Sequence, residues 1–116
     1  METEKKIIIK IFKREEKNDR IFFGGAQLDL SVRNKKKEAM IWNFTNVERG
    51  NGDGTILLQR VCKLADKLGF TLALRTESYN HQYNTRLVEF YIKFGFSPVS
   101  TNVWGETYME RQIFTV

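Results

Sequence analysis

Residues 49–54 read Arg49-Gly50-Asn51-Gly52-Asp53-Gly54, and they separate two runs of opposite periodicity. The run before them, Met40-Ile41-Trp42-Asn43-Phe44-Thr45-Asn46-Val47, is aromatic and β-branched, the composition of a strand. The run after them places Leu57, Val61, Leu64, Ala65 and Leu68 at helical spacing and stops at Gly69. Three glycines in five residues leave a backbone that no side chain shields. A strand, a glycine turn and a helix in that order aim several free N–H groups at one point, with the positive end of the helix dipole behind them. The pattern predicts a cradle for a phosphate or pyrophosphate.

Known phosphate and metal loops separate on spacing. A P-loop needs Lys-Ser/Thr directly after its last glycine, and Thr55-Ile56 follows Gly54 instead. The dinucleotide fingerprint needs its third glycine one residue later than Gly54. A calcium loop beginning at Asn51 would need Glu at its twelfth position, where Cys62 stands. The spelling that fits is Arg-x-x-Gly-x-Gly. It resembles the acyl-CoA pyrophosphate loop of the GNAT N-acetyltransferase superfamily, and Phe44 through Leu58 is similar without a gap to that family's strand, loop and helix.

With 116 residues the chain has room for one domain and one core. No apolar run is long enough to cross a bilayer, and the apolar stretch at residues 7–9 is too short for a signal peptide, so the expectation is a cytoplasmic domain. One cysteine, Cys62, and one histidine, His81, exclude an internal disulfide and argue against a protein-built zinc site. The net charge of +5 favours acidic partners, of which CoA and nucleic acid are two. The lysines lie at the chain start and in one turn, Lys35 to Lys37, rather than as a stripe along one element.

Taken in order, residues 6–13 alternate around Ile7, Ile9 and Ile11 and read as a strand, and residues 14–20 as a charged turn. Residues 21–32 read as a long strand broken at Gly24-Gly25. Its second half sets Ala26, Leu28, Leu30 and Val32 against Gln27, Asp29, Ser31 and Arg33, one face buried and one wet. Asn34-Lys35-Lys36-Lys37 makes a hairpin tip, and residues 38–47 return antiparallel. After the helix at 55–68, residues 70–77 form a strand parallel to the one before the loop, because a helix crossover joins them. A helix over 85–94, a short extended piece at 96–100 and a last strand at 107–115 complete the chain.

A second motif lies in that later helix. Asn84-Thr85-Arg86-Leu87-Val88-Glu89-Phe90-Tyr91-Ile92-Lys93-Phe94-Gly95-Phe96 resembles the GNAT signature Asn-x-x-Ala-x-x-x-Tyr-x-x-x-Gly-Phe. The resemblance therefore covers roughly residues 21–114. It implies an α+β fold with a mostly antiparallel sheet, one parallel strand pair that splays apart, and two main helices. It also implies transfer of an acetyl group from acetyl-CoA to an amine.

On that resemblance, the backbone of Gly50, Asn51, Gly52, Asp53, Gly54 and Thr55 would hold the pyrophosphate, with Arg49 adding charge. Phe44, Thr45, Asn46 and Val47 would pair with the pantetheine arm, and unpaired amides in the splay would polarise the thioester carbonyl. Tyr91 matches the general acid that protonates the departing thiolate, where the plain alternative is a core tyrosine. Asn84 matches the residue that contacts the pantetheine arm or braces the loop; a helix N-cap is the alternative. Glu77 is the first candidate for the base, Glu48 the second, and His81 could shuttle a proton. Cys62 reads as core.

The chain departs from the family pattern at three points. Asp53 places a negative charge in a loop meant to receive one, and Leu87 replaces the usual alanine. The family's early acceptor-side helices have no room before Ile21, so the expected site is open and suits a protein lysine or N-terminus, as in phage-type minimal acetyltransferases. Two alternatives stay open: a GNAT-fold binding or inhibitor protein without turnover, and a small basic nucleic-acid-binding domain. Homodimers are frequent in the family, and no residue pattern here marks a dimer surface.

Overall fold

The computed structural model describes residues 3–13, 17–46, 52–76 and 81–113. The elements are α1 (Thr3–Phe12), β1 (Lys17–Phe23), β2 (Ala26–Arg33), a 3-10 turn (Asn34–Lys36), β3 (Glu38–Asn46), α2 (Asp53–Leu68), β4 (Thr71–Arg75), α3 (His81–Ile92), β5 (Ser97–Thr101) and β6 (Thr107–Arg111). The six strands make one sheet in the order β1-β2-β3-β4-β6-β5. Among the described residues only β3 and β4 run parallel, and the other neighbouring strands pair antiparallel.

The register shows why one face is dry. Leu30 pairs with Ile41, Ile41 with Leu74, and Leu74 with Met109, so side chains of matching parity line up across four strands. All four are buried, together with Leu28, Val32, Ala39 and Leu72. Leu57, Leu58, Val61 and Ala65 of α2 close over this face, their i, i+3/i+4 spacing forming one stripe. The other face carries Arg20, Asp29, Trp42, Arg75 and Glu110, and among the described residues no helix covers it.

Residues 3–12 form a helix, not the strand expected over 6–13. Ile8, Ile11 and Phe12 are fully or nearly fully buried, and Phe12 meets Phe70 with ring centroids 4.9 Å apart. That i, i+3, i+4 set packs against α2 and the sheet, and this burial outweighs the β preference of a run of isoleucines. Consequently the sheet is preceded by a helix, against the expectation that strands begin almost at once, and the described residues hold three helices, α1 beside the two expected. β1 begins at Lys17, inside the stretch expected to be a turn. The break at Gly24-Gly25 is a full hairpin turn, with Gly24 at φ 56, so β1 and β2 are neighbouring strands.

The remaining elements follow the expected order. α2 ends in a left-handed Gly69 at φ 81, whose N–H reaches the carbonyls of Ala65 and Asp66. The Arg111 guanidinium, its side chain 10% exposed, donates to both Asp66 carboxylate oxygens at 2.7 and 2.9 Å and to the Phe94 carbonyl at 2.6 Å. One cation thus joins β6, α2 and the end of α3. Among the described residues no helix is long and apolar enough to cross a membrane.

Candidate active site

The parallel pairing of β3 and β4 stops early. It runs from Glu38↔Thr71 to Ile41↔Leu74, while β3 continues to Asn46. Beyond Ile41, β3 stays with β2, through Gln27↔Thr45 and Ala26↔Asn46, and β4 stays with β6, where the Thr76 N–H donates to the Thr107 carbonyl at 2.9 Å. Among the described residues, β3 positions 42–46 therefore have no partner on the β4 side. The expected splay is present.

A bulge in β3 lies where the two strands part. Between Gln27↔Thr45 and Asp29↔Trp42, β3 advances three residues for two of β2. The extra residue is Asn43, at φ 50, a conformation asparagine tolerates better than most. Its Nδ2 donates to Asp29 Oδ2 at 2.9 Å, and the Arg20 guanidinium holds the same carboxylate. These hydrogen bonds, Arg20 first and Asn43 second, keep the Asp29 carboxyl below the usual aspartate range. Trp42, next to buried Ile41, stands on the open face; the inserted residue then reverses side-chain parity, so Phe44 turns toward the helices instead of sharing that face.

Phe44 there meets α3. Its ring lies 6.4 Å from Phe90, stacked, and 6.3 Å from Tyr91. Tyr91 is 7% exposed and also lies edge-on to Phe90 and Phe96, at 5.4 and 5.8 Å. Tyr91 is thus a core tyrosine and a wall of the splay at once, because Phe44 belongs to the unpaired segment.

Asn84 is the fourth residue of α3, which starts at His81, so the N-cap reading falls. Its side chain is buried with two threonines. The Thr76 hydroxyl donates to Asn84 Oδ1, Asn84 Nδ2 donates to Thr107 Oγ1 at 3.2 Å, and the Thr107 N–H donates to Thr76 Oγ1 at 2.9 Å. This network fixes the start of α3 to the end of β4 and the start of β6. Thr76 and Thr107 carry no motif, and only the fold brings them beside Asn84.

The described part of the glycine loop starts α2. Gly52 is the N-cap at φ 80 and open to solvent, its carbonyl accepting from the Ile56 N–H at 3.1 Å. Gly54 is buried and Thr55 exposed in the first turn, and Thr45 is exposed on β3. The Asp53 carboxylate accepts from the Gly25 N–H at 2.8 Å. Asn46 ends β3. Val47, Glu48, Arg49, Gly50, Asn51 and Glu77 lie outside the described residues, as does the side chain of His81.

Other candidates resolve into structural roles. Lys37 has φ 54 and its ammonium lies 5.0 Å from the Phe70 ring centroid, so the lysine tip is partly committed to packing. Burial pushes the Cys62 thiol up to about 12, leaving it protonated and unsuited to nucleophilic work. Two hollows of about 330 and 370 Å³ flank Phe94 and Arg111, at the far end of α3 from Asn84.

No protein-family model and no curated protein matches the sequence. Solved structures do match in shape. The anti-CRISPR protein AcrVA5 superposes with a TM-score of 0.63 at 21% identity, over 80% of this chain and 96% of that one. Tetrahymena GCN5 gives 0.63 at 17% identity, over 95% and 76%. The PaiA N-acetyltransferase of Thermoplasma acidophilum, solved with coenzyme A, gives 0.58 at 21% identity over 75% of this chain and 52% of its own. The chain has the GNAT fold. Its mixed sheet, with one parallel pair opening at β3 and β4, is the arrangement that the Arg-x-x-Gly-x-Gly loop implied. The GNAT resemblance read from two motifs therefore extends through the whole described sheet.

Proposed function

We propose that the chain is an acyl-CoA-dependent N-acetyltransferase that moves an acetyl group to an amine, a protein lysine or N-terminus. The observation that carries this reading is the β3–β4 opening with Tyr91 in its wall. Among the described residues, the β3 amides at 42–46 that face the β4 side have no strand partner there, and they would hydrogen-bond the donor's pantetheine arm and polarise a thioester carbonyl, as oxyanion donors do. The N-terminal ends of α2 and α3 stand near the C-terminal ends of the parallel pair, where α/β sheets bind anions. The Gly52-Asp53-Gly54-Thr55 start of α2 and the preceding Arg49-Gly50-Asn51 would take the pyrophosphate.

In this reading a neutral amine adds to the thioester carbonyl, and the tetrahedral adduct collapses by breaking its C–S bond. Tyr91 gives its phenolic proton to the departing thiolate, and Glu77 accepts the proton lost by the amine, directly or through water. Asn84 acts as a brace, since both ends of its amide are bonded to Thr76 and Thr107.

Calorimetry with acetyl-CoA is the test, beside Gly52→Glu, which adds a charge and a side chain at φ 80. Micromolar binding that Gly52→Glu abolishes supports the cradle. Absence of binding by the unaltered protein overturns the reading. For the chemistry, Tyr91→Phe is expected to lower kcat on any amine that turns over by about 100-fold, with acetyl-CoA still bound. Unchanged kcat removes Tyr91 from the mechanism.

A further inference from the structure

Asp53 puts a carboxylate on the first residue of α2, beside a loop assigned above to phosphates. Facing that loop, it would repel the ligand. Its Oδ2 instead accepts from the Gly25 N–H at 2.8 Å, in the turn joining β1 to β2. A Cβ on Gly24 would stand 2.1 Å from the same oxygen, so the carboxylate occupies the space that a side chain at position 24 would need. Seven residues further along α2, two turns on and so on the same side, the Arg60 guanidinium lies 4.6 Å from the Phe23 ring centroid. The helix grips the end of the β1–β2 hairpin at two points.

The residue next to Gly25 matters as much. Ala26 pairs with Asn46, the last residue of β3. The loop that leaves β3 at Asn46 and enters α2 at Asp53 therefore has its two ends fastened to adjacent residues, Ala26 and Gly25. We infer that Asp53 is a positioning residue for acyl-CoA binding: its bond to Gly25 fixes where α2 begins relative to the end of β3, and so the aim of the N–H groups of Gly52, Gly54 and Thr55. This rests on the function proposed above. An acidic residue in the cradle thereby serves an anionic ligand through the geometry it sets, its carboxylate turned to a backbone donor on a different element.

The experiment compares the unaltered protein with Asp53→Ala, Asp53→Asn and Gly24→Ala. The last keeps the charge while displacing the carboxylate. Asp53→Ala and Gly24→Ala are expected to weaken acetyl-CoA binding and raise its KM about tenfold, the loss of one charge-assisted hydrogen bond, with kcat little changed. Asp53→Asn, whose amide oxygen accepts the same N–H, retains most of the affinity. S-acetyl-pantetheine, a donor without the pyrophosphate, reacts equally with all four proteins. Affinity that stays equal or tightens in Asp53→Ala and Gly24→Ala overturns the inference and leaves the proposed function standing. An equal loss with both donors also overturns it, since general loosening of the fold would act on both. If the unaltered protein does not bind acetyl-CoA, the function reading falls and this inference with it.

Discussion

Thr76, Asn84 and Thr107 are 1%, 9% and 4% exposed, so their polar groups are cut off from bulk water and satisfy one another. Thr76 is the centre of the set, since its single hydroxyl both donates to Asn84 and accepts from the Thr107 N–H. Thr76→Val keeps the shape and removes both roles, leaving a buried amide oxygen and a buried N–H unmatched. The expected loss is about 2–3 kcal/mol, read as a lower urea midpoint with an unchanged slope. Thr45→Val, on an exposed strand position, should move the midpoint far less. Asn84 could be singled out from the sequence because it heads a motif. Its partners could not, as a buried threonine looks like any other until the chain closes over it.

The β3 strand has a bend that its sequence half announces. An asparagine inside an aromatic and β-branched run is out of place in a flat strand, and at φ 50 it forms the bulge at the point where β3 parts from β4. Asn43→Val is expected to cost about 1–2 kcal/mol, because a β-branched side chain resists the left-handed region; Asn43→Gly should be close to neutral. Denaturant titration of the two variants checks the order. The Asp29 carboxylate that holds Asn43 adds a pH dependence. Its native pKa is depressed, so its contribution is present above the unfolded aspartate value and lost as pH falls through the native one. The stability gap between the unaltered protein and Asp29→Asn should therefore narrow below about pH 4. The gap itself is modest, because the Arg20 side chain is 51% exposed and solvent screens the pair. At the other extreme, α1 misleads a periodicity reading. Ile7, Ile9 and Ile11 alternate as in a strand, whereas Ile8, Ile11 and Phe12 form the face that packs, and only the surface offered by α2 and Phe70 decides between them.

At the scale of the molecule, the parallel pair and the helices α2 and α3 were legible, because each helix rests on a periodic run bounded by glycine and the α2 crossover sets β3 parallel to β4. The placing of β6 between β4 and β5 was not. The one-sided layering was legible in part. The alternation of Ala26, Leu28, Leu30 and Val32 predicted one wet face on β2, and the register extends that wet face across β3, β4 and β6. What joins the layers was not legible. Arg111 belongs to no motif, yet it closes the base of α2 and α3 through Asp66 and Phe94.

The open sheet face also determines what light the molecule returns. The chain has two tryptophans, Trp42 at 43% and Trp104 at 78% exposure. Trp42 sits where β3 leaves β4. Trp104 rides on a turn built around Asn102, whose side chain accepts from the Trp104 and Glu106 N–H groups, both at 3.0 Å. Neither indole is in the core, so the folded protein should already show the long-wavelength emission of a hydrated indole. Unfolding is then nearly silent by fluorescence and has to be followed by circular dichroism. That silence gives a clean optical background. Acetyl-CoA entering the β3–β4 opening is expected to change the emission of Trp104→Phe, in which only Trp42 reports, and to leave that of Trp42→Phe unaltered. The protein carries its own probe at the β3–β4 opening and its own reference away from it.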